Sequence, residues 1–162
     1  MSEQTDPSDQ SARAVAAAEG LGLDVTVTRH GPVRSLAEAA RARGVEPRQV
    51  VKTMVVRVAE GDHRFVLVPG DREIAWPKLR ALLGVNKLSL PAADTAFEAT
   101  GYERGTITPL GSIRPWPVYA DQTITGRRIS MGAGEHGYSA FVDADALTAA
   151  LGAVVADITE PN

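Results

Sequence analysis

Two periods of hydrophobic positions alternate along this chain. Residues 50–58, VVKTMVVRV, read as a β-strand. Side chains on a strand point to opposite faces in turn, so Val50, Lys52, Met54, Val56 and Val58 share one face, and Val51, Thr53, Val55 and Arg57 the other. RFVLVPG follows after the polar AEGDH, which predicts a hairpin. DVTVTR, PVYAD, RRISMGAG and YSAFV read as further strands, the last two around the turn GEHG, and AVVADI closes the chain. Helical spacing marks SARAVAAAEGLG, stopped by Gly20 and Gly22, and SLAEAARARG, with Ser35 and Glu38 at capping-box spacing and Gly44 at its end. WPKLRALLG has Pro77 in its first turn and Gly84 at its end, PAADTAFEATG places Pro91 and Gly101 in the same two positions, and DADALTAALG is led by Asp143. Residues 102–121, rich in glycine and proline, predict a long irregular loop. Residues 1–10 are polar and predict a disordered tail, with a single domain over 11–160. Strands and helices mix without the regular alternation of a doubly wound sheet. The expected class is α+β: one domain with a mixed, curved, barrel-like sheet flanked by helices.

Lys52 is the anomaly in this pattern, because it falls on the more apolar face of its strand. An ammonium ion is costly to bury. Either its head snorkels to solvent from the strand's first turn, or the face opens into a pocket where it meets an anionic or carbonyl oxygen. A second feature is GTITPLG, residues 105–111. It is either a plain connection or a rigid loop offering backbone N–H groups and the hydroxyls of Thr106 and Thr108 to a developing oxyanion.

Composition narrows the chemistry. The chain has 162 residues, 44% hydrophobic and 23% charged, and no cysteine. Disulfides, thiolate metal sites and a cysteine nucleophile are therefore excluded. The three histidines, His30, His63 and His136, have no metal-ligand spacing, so no metal is expected. There is no P-loop, no G-x-G-x-x-G after a strand and no G-x-S-x-G, and no cofactor is expected. No apolar run reaches membrane-spanning length and the start has no signal-peptide pattern, so a cytoplasmic location is expected. A net charge of −3 argues against an extended grip on nucleic acid, DNA included, and leaves room for a narrow contact with one end of an RNA. Arg41 and Arg43 in RARG, Arg48, Arg127 and Arg128 could supply local positive charge, or stand as solvated surface residues.

The stretches VVKTMVV, VLVPGDREI, KLRALLG, TGYERGTITPLG, PVYAD, GAGEHGYSAFV and VVADI, running from about residue 23 to 159, resemble the YbaK/EbsC family. These are aminoacyl-tRNA deacylases related to the editing domain of bacterial prolyl-tRNA synthetases. The resemblance implies a compact mixed α/β fold that hydrolyses the ester of an amino acid wrongly attached to tRNA. Lys52 matches the family's hallmark lysine, and Gly105 to Pro109 match its G-x-x-x-P loop. It assigns Lys52, Gly105, Thr106 and Thr108 to catalysis, and Thr53, Ile107, Pro109, Gly111, His30, Gly134, His136 and Tyr138 to substrate binding. The implied partner is the acceptor end of an aminoacyl-tRNA of the tRNA(Pro) type, carrying a small amino acid such as Ser, Thr, Ala or Cys, with a synthetase as a second candidate partner. A non-catalytic module that binds aminoacyl-tRNA or a synthetase is the alternative. Where cysteinyl-tRNA(Pro) deacylases read G-G-x-S-P and G-K-R-G-L, this chain reads GTITP and GEHGY. If the Thr106 and Thr108 hydroxyls and the polar tips of His136 and Tyr138 line the amino-acid pocket, serine or threonine is favoured over alanine or cysteine. If they contact ribose or water, they say nothing of the amino acid.

Overall fold

A computed structural model describes residues 9–31, 33 and 35–162, so most of the expected tail lies outside the described residues. The first helix, α1, spans Asp9–Gly20 and starts two residues before the expected boundary. It leads through β1 (Thr26–Arg29) to α2 (Leu36–Arg43), where the Ser35 hydroxyl accepts from the Glu38 amide and Gly44 ends the helix in the left-handed conformation. β2 (Val51–Ala59) and β3 (Asp62–Pro69) form the expected hairpin, irregular between Arg57 and Ala59. β4 (Arg72–Ile74), not anticipated, precedes α3 (Trp76–Leu83) and α4 (Ala93–Thr100). Pro77 stands in the first turn of α3, whereas α4 is capped by Ala92, so that Pro91 falls outside it. After the long loop come β5 (Val118–Asp121), β6 (Arg128–Gly132), β7 (Tyr138–Asp143), α5 (Ala144–Leu151), β8 (Val154–Ala156) and β9 (Thr159–Pro161). β9, not β8, is the last strand.

β1, β7 and β6 make an antiparallel sheet in that order; β2, β3, β5 and β8 make a mixed one, in which β3–β5 and β5–β8 are parallel. A parallel bridge between Val50 and Ser130 joins β2 to β6, so the two sheets continue into one curved surface. It does not close into a barrel, because β1 and β8 remain its outer strands. β4 and β9 pair separately. The larger core fills one side of the curve: Val51, Val55, Phe65 and Leu67 meet Val27, Ile129, Met131, Ala140 and Val142, with Ala14 and Ala18 of α1 and Leu147 of α5. A smaller core lies behind the hairpin, where Val56, Val66 and Val68 pack on Ile74, Leu79 and Ile158. β2 therefore buries residues on both faces, as its nearly continuous apolar run requires.

Candidate active site

The side of the three-stranded sheet away from the larger core is polar. Registers of Thr26 with Phe141, Thr28 with Ser139, Ser130 with Phe141 and Gly132 with Ser139 put these six residues on one face. Ser130 and Ser139 are buried there. The Thr28 and Ser139 hydroxyls are 3.4 Å apart, and Arg43 at the end of α2 donates from Nη1 to the Ser130 hydroxyl at 3.2 Å. Because Val50 bridges Ser130 in parallel, Lys52 and Gly132, two residues further on each strand, point to this same side. Lys52 shares its β2 face with Met54 and Val56 of the smaller core, but at the strand's start it is exposed. Val50 and Val56 on that face are buried and Lys52 is not, and its side chain has no hydrogen bond or ion pair among the described residues.

The loop after α4 crosses the far end of this face. The Thr106 carbonyl accepts from the Gly134 amide at 2.9 Å. A methyl group on Gly132 would stand 3.0 Å from the carbonyl oxygens of both Thr106 and Ile107. Gly132 therefore lets the loop backbone rest directly on β6. Gly132 and Gly134 thus carry the loop, and Lys52 falls on the same face one strand away.

What stiffens this loop is a clamp from α1. Arg13 donates from Nε to the Gly111 carbonyl at 2.9 Å and from Nη2 to the Gly101 carbonyl at 3.2 Å, so one guanidinium ties the loop's two ends. Its charge sits 4.4 Å from the ring centroid of buried Tyr102, whose hydroxyl donates to the Leu110 carbonyl at 2.7 Å. Gly111 belongs to this anchor: it has a φ of +74°, and a side chain there would meet the Arg13 carbonyl and the Tyr102 hydroxyl at 2.7 Å.

The threonine hydroxyls are used within the loop. Thr106 Oγ1 donates to the Glu103 carbonyl at 2.7 Å, and Thr108 Oγ1 accepts from the Leu110 amide at 3.2 Å; both residues are buried. Both hydroxyls thus engage the loop's own backbone, whereas the expectation set them against substrate. Pro109 is buried and Ile107 packs on the larger core, while Gly105 is exposed with a φ of +89°. The Gly105 and Ile107 amides have no acceptor among the described residues, so these backbone N–H groups are donors the loop can offer. His136 is exposed and close to this point: its Nε2 is 3.2 Å from a Glu103 carboxylate oxygen, and a side chain on Gly105 would stand 3.7 Å from its ring.

His30 lies just past β1 at this same end of the face, on the outer strand's side, where its amide donates to the Gly137 carbonyl at 2.8 Å. Its Nδ1 faces the Gly31 carbonyl at 2.8 Å; a carbonyl only accepts, so Nδ1 carries the proton and Nε2 the lone pair. Nε2 is buried with no partner among the described residues. Burial, then the charge of Arg43, lowers the pKa of His30, against the pull of the Gly31 and Tyr138 backbone. Two expected residues lie elsewhere. Thr53 shares the Val51 and Val55 face, opposite Lys52, and Tyr138 packs against the larger core. Neither reaches the polar face.

Arg13, Ser130 and Ser139 were not anticipated, and Arg43 was expected only as a local positive charge. Ser130 had a signal, since polar residues recur at every second position in RIS, whereas Arg13 and Arg43 act through contacts about 90 residues apart in sequence.

Residues 30–150 match the aminoacyl-tRNA editing domain family, a span that includes Lys52 and the loop. Proline–tRNA ligase of Desulfotalea psychrophila is 42% identical over 80 residues, 49% of this chain and 14% of the ligase. That of Caldicellulosiruptor saccharolyticus is 37% identical over 95 residues, 57% of this chain and 16% of the ligase. The chain thus spans only a small part of these curated relatives. Among solved structures, one described as a candidate trans-editing enzyme for prolyl tRNA synthetase superposes with a TM-score of 0.86 at 30% identity, covering 96% of this chain and 99% of its own. The hypothetical protein APE2540 gives 0.84 at 28%, covering 91% and 99%. With the family match spanning most of the chain and the fold in agreement, the chain belongs to the aminoacyl-tRNA editing domain family.

Proposed function

We propose that this protein is a free-standing, trans-editing deacylase that hydrolyses the ester between a small amino acid and the terminal ribose of a tRNA. The observation that supports the reading most is that Lys52 falls on the same face as Gly132, on which the amide-presenting loop rests. An aminoacyl ester is already activated, so catalysis needs mainly positioning and stabilisation of charge. In this reading the Gly105 and Ile107 amides donate to the ester carbonyl oxygen, and the Lys52 ammonium holds the ribose-phosphate end. Water attacks the carbonyl carbon, the bond from that carbon to the ribose oxygen breaks, and the proton lost by water ends on that oxygen. Near-complete mutual coverage with the candidate trans-editing enzyme supports a role in trans. Such a deacylase would work where tRNA is charged, in the cytoplasm.

The test is release of amino acid from alanyl-, cysteinyl-, seryl- and threonyl-tRNA(Pro). Hydrolysis of at least one is expected. Binding of all four without turnover would mark a non-catalytic module instead.

A further inference from the structure

Four of the arginines that look scattered in the sequence line one open cleft of about 520 Å³. Arg41 and Arg48 come from the end of α2 and the turn after it, Arg127 and Arg128 from the start of β6, and Glu46 and Gln49 complete the charged and polar lining. The two segments are locked together: Arg127 donates to the Arg48 carbonyl at 3.0 Å, and Gln49 to the Arg128 carbonyl at 3.3 Å. Glu46 is the one acidic residue in the lining; it pairs with Arg48 at 2.6 Å with both side chains more than half exposed. Such a solvent-screened pair is weak, and a phosphate can displace the carboxylate. A chain of net charge −3 therefore concentrates positive charge at one spot.

The cleft lies at the opposite end of β6 from the candidate active site, and the two share that strand. Arg128, Ser130 and Gly132 lie on one face of β6, Arg43 reaches Ser130 from above, and Lys52 stands beside Gly132 across the bridge. Positive charge thus runs from the cleft to the loop. The four strand steps from Arg128 to Gly132 cover about 13 Å at roughly 3.3 Å each. A stacked nucleic-acid strand advances about 3.4 Å per nucleotide. We infer that the Arg41–Arg48–Arg127–Arg128 cleft is an RNA-backbone site, which takes phosphates about four nucleotides from the ester while the loop holds the aminoacyl end. The inference rests on the deacylase reading for its ligand. An acidic protein surface would satisfy the charge, but not the alignment with a site for a terminal ribose.

Fluorescence anisotropy with uncharged tRNA(Pro), across a salt series, tests this directly. Arg48→Gln/Arg128→Gln removes two exposed charges; Lys87→Gln/Arg114→Gln removes two elsewhere. The cleft variant is expected to bind about tenfold more weakly, with a log–log salt slope shallower by about one for each phosphate no longer neutralised. The control is expected to stay within about twofold of wild type. Equal weakening in both variants, unchanged affinity and slope in the cleft variant, no binding by wild type, or displacement of tRNA by polyglutamate at equal charge would each overturn the inference. Deacylation separates this from the parent reading. If wild type binds through the cleft but hydrolyses none of the mischarged tRNAs, the deacylase reading fails. If wild type hydrolyses them and the cleft variant keeps its KM, the cleft assignment fails.

Discussion

Replacing Arg13 is expected to damage catalysis from a position that touches no substrate. Its guanidinium makes two hydrogen bonds of ordinary length, to Gly111 and Gly101; a third approach, to the Thr100 carbonyl, is 3.5 Å and is not counted. Hydrogen bonds from a charged donor contribute about 1.5–3 kcal/mol each. Arg13 is half-buried, so water can replace part of each bond, and the lower end applies: about 3 kcal/mol for the pair. The cation over the Tyr102 ring adds about 1 kcal/mol. Arg13→Met loses all of this, about 4 kcal/mol. Arg13→Lys keeps a charge and one bond but cannot span both carbonyls, and loses about 2 kcal/mol. At about 2–4 °C per kcal/mol for a chain of this size, the melting temperature should fall by about 4–8 °C for lysine and about 8–16 °C for methionine. Deacylation is measured at a temperature where both variants are folded. Since misplacement of a site by 1 Å can cost about a hundredfold, kcat for Arg13→Lys should drop by about tenfold or more. A lowered melting temperature with unchanged kcat would refute the clamp as a positioning device, and no change in either would refute the clamp itself.

Gly132→Ala forces the Thr106 and Ile107 carbonyls to give way, because its methyl would stand at 3.0 Å from both; it should cost about 1–3 kcal/mol in denaturant unfolding and lower kcat while leaving tRNA affinity unchanged. His63 and His30 are both less basic in the fold than unfolded imidazole, through burial first and the charges of Arg57 and Arg43 second, with Asp62 opposing the shift at His63. The unfolded chain then takes up protons more readily, so this contribution to stability is full above about pH 6.5 and is lost as the pH falls below it. Melting temperatures at pH 7.5, 6 and 5 should decline in that order. They should decline less in His63→Phe, which keeps a ring against Trp116 in the place of an imidazole whose two nitrogens have no described partner.

Much of the fold was legible because most elements announce themselves locally. The period-two runs gave β2, β3, β6 and β7, and Gly44, Gly84, Gly101 and Gly152 end their helices in the left-handed conformation a residue without Cβ adopts freely. β4 and β9 escaped because three residues carry too little period, and their pairing joins segments almost 90 residues apart. It is held by buried Asp121, which accepts from the Ile158 amide, and by Arg72 donating to Thr159. In the site, Lys52 and the G-x-x-x-P loop were visible as a broken pattern and a motif. The loop's inner wiring was not: whether a threonine hydroxyl meets substrate or its own backbone depends on turn geometry that residue type does not specify. Arg13, which anchors the loop, looked like one more helix-surface charge.

The central claim is that Lys52 and the loop form a hydrolytic site for aminoacyl-tRNA. Lys52 is exposed and has no partner among the described residues, so Lys52→Ala should change stability by no more than about 0.5 kcal/mol. The most direct measurement compares wild type and Lys52→Ala on the panel of mischarged tRNA(Pro) substrates, with melting temperatures recorded alongside. The account predicts that wild type releases at least one small amino acid, and that Lys52→Ala melts normally and loses most of that activity. A normally folded Lys52→Ala protein that deacylates as fast as wild type would contradict it.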